Sequence, residues 1–568
     1  MRRAAPAAPL GGGGGGGTGR RRGGRRRPRG AMFVKKVKNG KVWTVNPGEW
    51  EQEEHYYPRA LNAQLHPLVT SFLGLDKLRI ATRYCHLHPE TDKNKLLEVL
   101  GYVPRDFRWA GADLFCVTNE MAQRQMIVIE TNSCPSGQKS MPSQGNENDT
   151  AKGTNYYTMV AETFGSLLRE KSDSLPEGVY ATIFDKNPME ATGYAQCMAD
   201  FLKTRVFIVE MFRHDDKAPY RWRDDGVLEI RVGRSDAEHA LPDTSLFKPV
   251  EGDESRVWVP VRAAFRYVTI APWTRIPVVT KTLVLNPIIS CLSGGRNKLV
   301  ASKAYDFKNA ELSSYGLRIR TPETITDVSL TEIPLYVRSM GYIAVIKVPY
   351  SNAGQGVFTI TSKAELDSFM EWAKCNPYDQ FIVQALVGNS TWSSASKDGI
   401  FYHVGTVPNV KNKTYVADLR MMICATEEGY RPLAIYARRA KSPLTEKLLN
   451  VEDSWDMLGT NLSVLNEDGS WGSDTSRLLL MDRKDFNRLG ISLDDLIDSF
   501  IQTVLASTAI DQMCKRLLKN GTFEHELFAS LNKDPHFIDE VLILKDVEAP
   551  TCADDAAGDD DDSNASSN

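Results

Sequence analysis

Two stretches joined by a polar turn decide how this chain reads: Gly111-Ala-Asp-Leu-Phe115 and Ile127-Val-Ile-Glu-Thr-Asn-Ser-Cys-Pro-Ser-Gly137. Their apolar runs predict short strands over 112–117 and 126–130, with the turn over 118–125, and hence a hairpin. Side chains alternate along a strand, so Glu130 and Asn132 face the same way. Hairpin pairing can bring Asp113 opposite them. Magnesium takes oxygen donors, one or two carboxylates together with phosphate oxygens, and this trio supplies a protein's share. Composition alone also describes a strand ending in an Asn/Pro/Ser/Gly turn beside an exposed acid.

Working outward, the 568 residues allow roughly three to five compact units. With 42% hydrophobic, 9% aromatic and 25% charged residues, the body is an ordinary globular one, neither wholly disordered nor a collagen repeat nor a disulfide-stapled miniprotein. The best membrane candidate, around 278–292, is broken by Lys281, Asn286 and Pro287, so no span is expected. The net charge of -3 conceals opposite tails, with nine arginines and eleven glycines in 1–30 and six aspartates in 551–568. Taking nine from -3 and restoring six leaves -6 for 31–550, a mildly acidic body without the basic bias of a DNA binder.

Residues 1–31 are Arg-rich and acid-free but hold the heptaglycine Gly11 to Gly17, which cannot carry an amphipathic helix. An untranslated or disordered leader ahead of an internal start at Met32 is favoured over an organelle presequence or an RNA-contacting arm. The acidic end, 546–568, is disordered by composition. Nine scattered cysteines without a CxxC pair or secretory signal suit a reduced, cytoplasmic setting, with organelle targeting through 1–31 as the alternative. Cys85, His86 and His88 lack a second ligand pair at zinc spacing.

Helical periodicity runs from Pro58 to about Leu100, and 136–155 is a polar loop followed by a helix over 156–168. Strand 179–184, a helix capped and started by Asn187-Pro188, and strand 206–211 make a βαβ unit. Strands follow at 227–232 and 256–270. The pattern then alternates: helix 298–312, strands 343–348 and 357–360, helix 363–374, and strands 381–385, 416–424 and 433–438. A long helix from Leu493 to about Lys519 starts at a Ser492/Asp495 capping box. The class is α+β or mixed α/β.

Further motifs fall in a consistent order. Arg296-Asn-Lys298 enters a helix and precedes Gly316-Leu-Arg-Ile-Arg-Thr-Pro322. Lys347 stands on a strand before Ser351-Asn-Ala-Gly-Gln-Gly356, where glycines let amides approach phosphates while Lys347 adds a point charge. A glycine hairpin turn with a solvent lysine fits that stretch equally. Phe381-Ile-Val-Gln384 is a short apolar strand. Asp418-Leu-Arg420 and Ala437-Arg-Arg-Ala440 put arginines on adjacent predicted strands, suited to charge developing on a phosphoryl group, or forming a cross-strand Asp–Arg pair on a wet face. Gly459-Thr-Asn-Leu-Ser463 is a turn.

Together these resemble the ATP-grasp superfamily, in which an acid on one strand and an ExN on the next hold Mg²⁺ between nucleotide phosphates. Here the Asp and ExN strands precede the glycine loop, the DxR strand and the Asn loop. That order resembles the circular permutation of eukaryotic glutathione synthetase and glutathionylspermidine synthetase. The resemblance covers about 111–137 and 290–465. It implies a circularly permuted ATP-grasp fold with a βαβ substrate-type lobe, divided as leader 1–31, metal-hairpin segment 32–150, substrate lobe 151–290, nucleotide-binding region 291–545 and tail 546–568.

The implied activity is an ATP-dependent carboxylate–amine or carboxylate–thiol ligase using ATP and Mg²⁺ through an acyl phosphate, on a small-molecule or peptide carboxylate and an amine acceptor. A superfamily kinase or a non-catalytic ATP-binding scaffold are the alternatives. The resemblance makes 316–322 the strand after the first nucleotide lysine; it assigns Lys298, Lys347, Gly354, Gln355, Gly356, Gln384 and Asn461 to the nucleotide, Asp113, Glu130 and Asn132 to the metal, and Arg420 and Arg438 to the transferring phosphoryl group. The family's acid in the glycine loop has no counterpart between Tyr350 and Gln355, which leaves Asp113 to take its place.

Overall fold

The hairpin forms and outruns its apolar cores: Trp109–Asn119 pairs antiparallel with Arg124–Ser133. The turn closes as Asn119 Oδ1 accepts from the amides of Met121 and Gln123, a local bond Asn is suited to make. The pairing is not regular throughout. Asp113 faces Glu130 but Leu114 faces Val128, so Ile129 is an extra residue, a bulge that re-aims the strand where the carboxylates sit. The computed structural model describes residues 39–143, 150–351, 354, 356–397, 399–448, 453–465 and 471–542; the leader, the acidic tail and Gln355 lie outside the described residues.

The first hairpin strand also pairs, on its other edge, with the late strand Thr414–Thr426, which in turn pairs with Gly429–Arg439. Segments three hundred residues apart thereby share one seven-stranded sheet, completed by Phe401–His403, Thr406–Pro408 and Leu478–Leu479. A second, four-stranded sheet has the order Thr324–Ser329, Gln380–Ala385, Ala344–Lys347, Val357–Ile360, all antiparallel. The glycine loop bridges its last two strands.

A third sheet carries the expected βαβ unit. Val179–Phe184 runs parallel to Val206–Glu210 on one edge and to Asp253–Tyr267 on the other, with helix Pro188–Leu202 as the crossover. Helix Leu493–Leu517 packs under the hairpin and is buried over nearly its whole circumference. Ser499 and Thr503 return their hydroxyls to the carbonyls of Asp495 and Ser499, and the Ser492/Asp495 capping box is present.

Three local expectations change. Residues 316–322 form no strand, because their backbone partners lie elsewhere: Gln502 grips Arg318 O and Arg320 N, and Val128 N donates to Arg320 O. The strand comes later, at Thr324–Ser329. Asn187 does not cap its helix through its side chain; it sits at φ 55°, ψ 59°, a left-handed conformation Asn tolerates, and Pro188 starts the helix. The long helical stretch from Pro58 breaks into four helices, Pro58–Leu61, Pro67–Leu73, Lys77–Leu87 and Lys93–Leu100, the last two capped by Asp76 and Asp92.

Candidate active site

Period-two alternation on four adjacent strands brings Asp113, Glu130, Asn132, Asp418, Arg420, Tyr436 and Arg438 onto one sheet face lining a cleft. The registers are direct: Asp113 opposes both Glu130 and Arg420, and Asp418 opposes Arg438. This is not a wet sheet face, since Asp113, Asp418, Arg420 and Arg438 are all buried. Arg420 forks onto Asp113 with Nε to Oδ1 at 2.6 Å and Nη2 to Oδ2 at 2.7 Å. Arg438 Nη2 adds a contact to Asp113 Oδ2 at 2.9 Å and binds Asp418 through both Nε and Nη2.

Two carboxylates and two guanidiniums so arranged cancel one another in a low-dielectric setting. Burial alone would raise the Asp113 carboxyl, but Arg420 and then Arg438 outweigh it and hold it below the usual carboxylate range. Asp418 is shifted upward, because burial exceeds what Arg438 returns and Asp113 adds like-charge repulsion. Arg420 Nη1 also reaches Ser136 O at 3.3 Å, and Tyr436 Oη donates to the same carbonyl at 3.1 Å.

The opposite wall is the four-stranded sheet. Val345 and Lys347, Val357 and Thr359, and Gln384 all face the cleft. Lys347 is 4% exposed and donates to Ile129 O at 3.2 Å; burial pulls its ammonium down to about 8, opposed by Glu130 and reinforced by Lys298. Lys298 stands at the first position of helix Lys298–Leu312, capped by Asn297, with Nζ on Ser351 O at 2.8 Å and 3.9 Å from Glu130 Oε2. It lines a smaller adjoining cavity that shares Glu130, Lys347 and Gln384 with the main cleft. Gln384 donates from Nε2 to Thr324 Oγ1 at 2.8 Å, and the amides of Ala385 and Leu386 are committed to Glu323 O and Ser394 Oγ.

The glycine loop leans on the Asn-bearing loop. Gly354 has φ +75°, and a Cβ there would come within 2.8 Å of the Trp455 ring and 3.0 Å of Asn461 Nδ2, so this position needs glycine on both counts. Gly356 lies at φ +63° over Ser351. Gln355 lies outside the described residues.

The main cleft spans about 1550 Å³, open solvent at its mouth included. It gathers Asp113, Glu130, Asn132, Lys347, Gly354, Gln384, Arg420, Arg438 and Asn461, with Lys298 next door. Six cations, Lys139, Lys186, Arg296, Lys347, Arg420 and Arg438, face three carboxylates among its described lining residues, which suits a polyanion. One region is apolar, with Phe115, Ile129, Val345, Leu386, Val387 and Leu458, and His403 packs edge-on to Phe115 at 4.5 Å. Sequence reasoning missed this apolar patch, Trp455, and the polar group Lys139, Ser140, Lys186, Tyr267 and Thr269, none of which carries a motif.

For Mg²⁺, the three expected ligands Asp113, Glu130 and Asn132 all bring side-chain oxygens to the cleft. Glu130 through its carboxylate and Asn132 through its amide oxygen are the kind of donor Mg²⁺ takes. Both oxygens of Asp113 accept from the arginines, so Asp113 also fixes the two guanidiniums.

No protein-family model matches the chain, and no curated protein sequence matches it. Similar solved structures include a RimK domain ATP-grasp protein from Sphaerobacter thermophilus, at 13% identity over 30% of this chain and 71% of that one, with a TM-score of 0.18. A glutathione synthetase-like effector from Globodera pallida in apo form is 9% identical over 66% of this chain and 86% of its own, with a TM-score of 0.33. The ADP complex of purK, an N5-carboxyaminoimidazole ribonucleotide synthetase, is 10% identical over 32% of this chain and 54% of that one, with a TM-score of 0.15.

Proposed function

We propose that this protein is an ATP-dependent ligase of the ATP-grasp type, joining a carboxylate to an amine or thiol through an acyl phosphate. The observation that carries the reading is the meeting, in one cleft, of a buried lysine and glycine loop on one sheet with a carboxylate–amide pair and two braced arginines on the other. The apolar patch around Phe115, Leu386 and Val387 suits a purine ring, and the glycine loop with Lys347 and Lys298 suits its phosphates. Glu130 and Asn132 would hold Mg²⁺, which when bound neutralises phosphate charge and orients the γ-phosphoryl group.

The chain's own residues do the rest. Asp113 and Asp418 fix the guanidinium planes of Arg420 and Arg438, so their remaining donors are preorganised for charge on the group in transfer. The substrate carboxylate attacks the γ-phosphorus, ADP leaves, and an amine or thiol displaces phosphate from the acyl phosphate; no side-chain nucleophile is required. The circularly permuted chain order belongs to the same proposal, supported by early and late strands sharing one sheet. Among the described residues eight cysteines are free, in keeping with a reduced compartment, and no helix is long and apolar enough to cross a membrane.

Hydroxylamine trapping tests the reaction. With Mg·ATP and a panel of candidate acids, the protein should yield hydroxamate in step with ADP. A phosphorylated alcohol in place of hydroxamate would reassign it as a kinase, and nucleotide binding without any ADP release would make it a scaffold.

A further inference from the structure

The helix that opens with Lys298 and the base of the glycine loop are tied together at the edge of the cleft. Lys298 N donates to Pro349 O at 3.0 Å, a backbone bond between the two elements. Lys298 Nζ adds bonds to Ser351 O at 2.8 Å and to Ser351 Oγ at 3.3 Å. A third tie comes from the far end of the chain. Asn532 follows helix His525–Leu531, is fully buried, and is not among the residues lining either cavity.

A single atom makes that third tie. Asn532 Oδ1 accepts from Asn297 Nδ2 at 3.2 Å and from the Tyr350 hydroxyl. Asn297 caps the Lys298 helix, its own Oδ1 accepting from Val300 N at 3.2 Å, so the donation to Asn532 fixes the amide in its capping orientation. Tyr350 stands three residues after Lys347, where the glycine loop begins, and its ring lies flat on Phe537 with the planes 6° from parallel. Asn297, Tyr350, Asn532 and Phe537 are all buried. The backbone beside Asn532 is held in turn, since Lys303 Nζ donates to Leu531 O at 2.6 Å. Asn532 Nδ2 finds no hydrogen-bond partner among the described residues, which makes the carbonyl oxygen the working half of this side chain.

We infer that Asn532 is a positioning residue for nucleotide binding, setting the spacing between the Lys298 helix and the glycine loop by accepting from both at one oxygen. The inference rests on the nucleotide reading of the cleft and adds to it a residue that touches no ligand. Phosphate oxygens that recruit Lys298 Nζ draw it from Ser351, and the bonds that then keep the spacing are Lys298 N to Pro349 O and the Asn532 joint. A buried carbonyl offers two lone pairs, and here both are spent; its removal leaves an amide and a hydroxyl without an acceptor. Misplacing a binding group by about 1 Å is costly even when the substituted residue lies far from the chemistry.

Calorimetric titration of the full-length protein with Mg·ATP tests this. Asn532→Leu should raise the Kd about tenfold or more, and Tyr350→Phe, which keeps the stack on Phe537 and loses only the hydroxyl, about threefold to fivefold. Asn532→Asp keeps the acceptor and should stay within about twofold of the unsubstituted protein. Since both donors act at one oxygen, combining Tyr350→Phe with Asn532→Leu should weaken binding no further than Asn532→Leu alone. A lowered thermal midpoint with an unaltered Kd in Asn532→Leu would make the residue a packing element only and overturn the inference. Additive losses in the double variant, or Asn532→Asp binding as weakly as Asn532→Leu, would overturn it too. Should Asn532→Leu not fold, Tyr350→Phe decides, an unaltered Kd there refuting the inference. Failure of the unsubstituted protein to bind Mg·ATP would instead fell the nucleotide reading itself.

Discussion

Lys347 should make nucleotide binding a proton-uptake reaction above neutral pH. Its ammonium is 4% exposed, and burial holds it down to about 8, with Glu130 pulling the other way, Lys298 adding to the depression and Asp113 opposing it. At pH 8.5 about three quarters of the unliganded protein therefore carries a neutral amine at this position. Phosphate oxygens set against Lys347 favour the charged form, so Mg·ATP should draw in about 0.7 proton per site at pH 8.5 and almost none at pH 6.5. Calorimetric titration in Tris and in EPPS, whose ionisation enthalpies differ, measures that uptake directly. Absence of uptake at pH 8.5, or the same uptake in Lys347→Met, would refute the reasoning. The sign for stability follows from the same shift. Between about pH 8 and 10.4 the unfolded chain binds more protons than the folded one, so stability of the unliganded protein rises with pH across that window, and the depressed ammonium costs ~3 kcal/mol below it.

Asp113→Asn removes one of two carboxylates facing two buried guanidiniums and should lower stability by about 3–5 kcal/mol, read from urea unfolding; an unchanged midpoint would mean the quartet is not a unit. Gly354→Ala forces a side chain into a left-handed position costing about 1–2 kcal/mol and onto Trp455, so the thermal midpoint should fall by about 1–4 °C and nucleotide affinity roughly tenfold; an unchanged affinity would deny the glycine loop its part in binding. Glu190→Gln sets an amide donor among four donors, at a cost of about 1–3 kcal/mol, and should raise the KM for the acid substrate without raising that for ATP; equal effects on both would deny Glu190 its role in seating the 136–139 loop.

What was legible in the sequence was whatever depends on spacing within one strand. The i, i+2 relation alone places Glu130 with Asn132 and Asp418 with Arg420 on shared faces, and glycine chemistry marks the turn after Lys347. What was not legible depends on which strands become neighbours. The Ile129 bulge, which keeps Glu130 abreast of Asp113, is invisible in the run Ile127-Val-Ile-Glu130 because a regular strand would be spelled the same way. The arginine partners of Asp113 were equally out of sight, since they lie some three hundred residues away on strands whose pairing no local signal announces. The 316–322 stretch misled for the complementary reason: Leu317 and Ile319 alternate as a strand should, yet Gln502 on a distant helix supplies the backbone partners a neighbouring strand would have supplied.

The same logic explains why the substrate end was silent. Lys186 and Thr269 each follow the end of a different strand, and they come to one wall of the cleft only because parallel pairing aligns Phe184 with Tyr267. Specificity in such a fold is thus written at strand ends by tertiary register, while the phosphate-handling parts are written in local runs. Local runs can therefore suggest a reaction class while leaving the substrate unspecified, and substitutions at Lys347 should alter the nucleotide step.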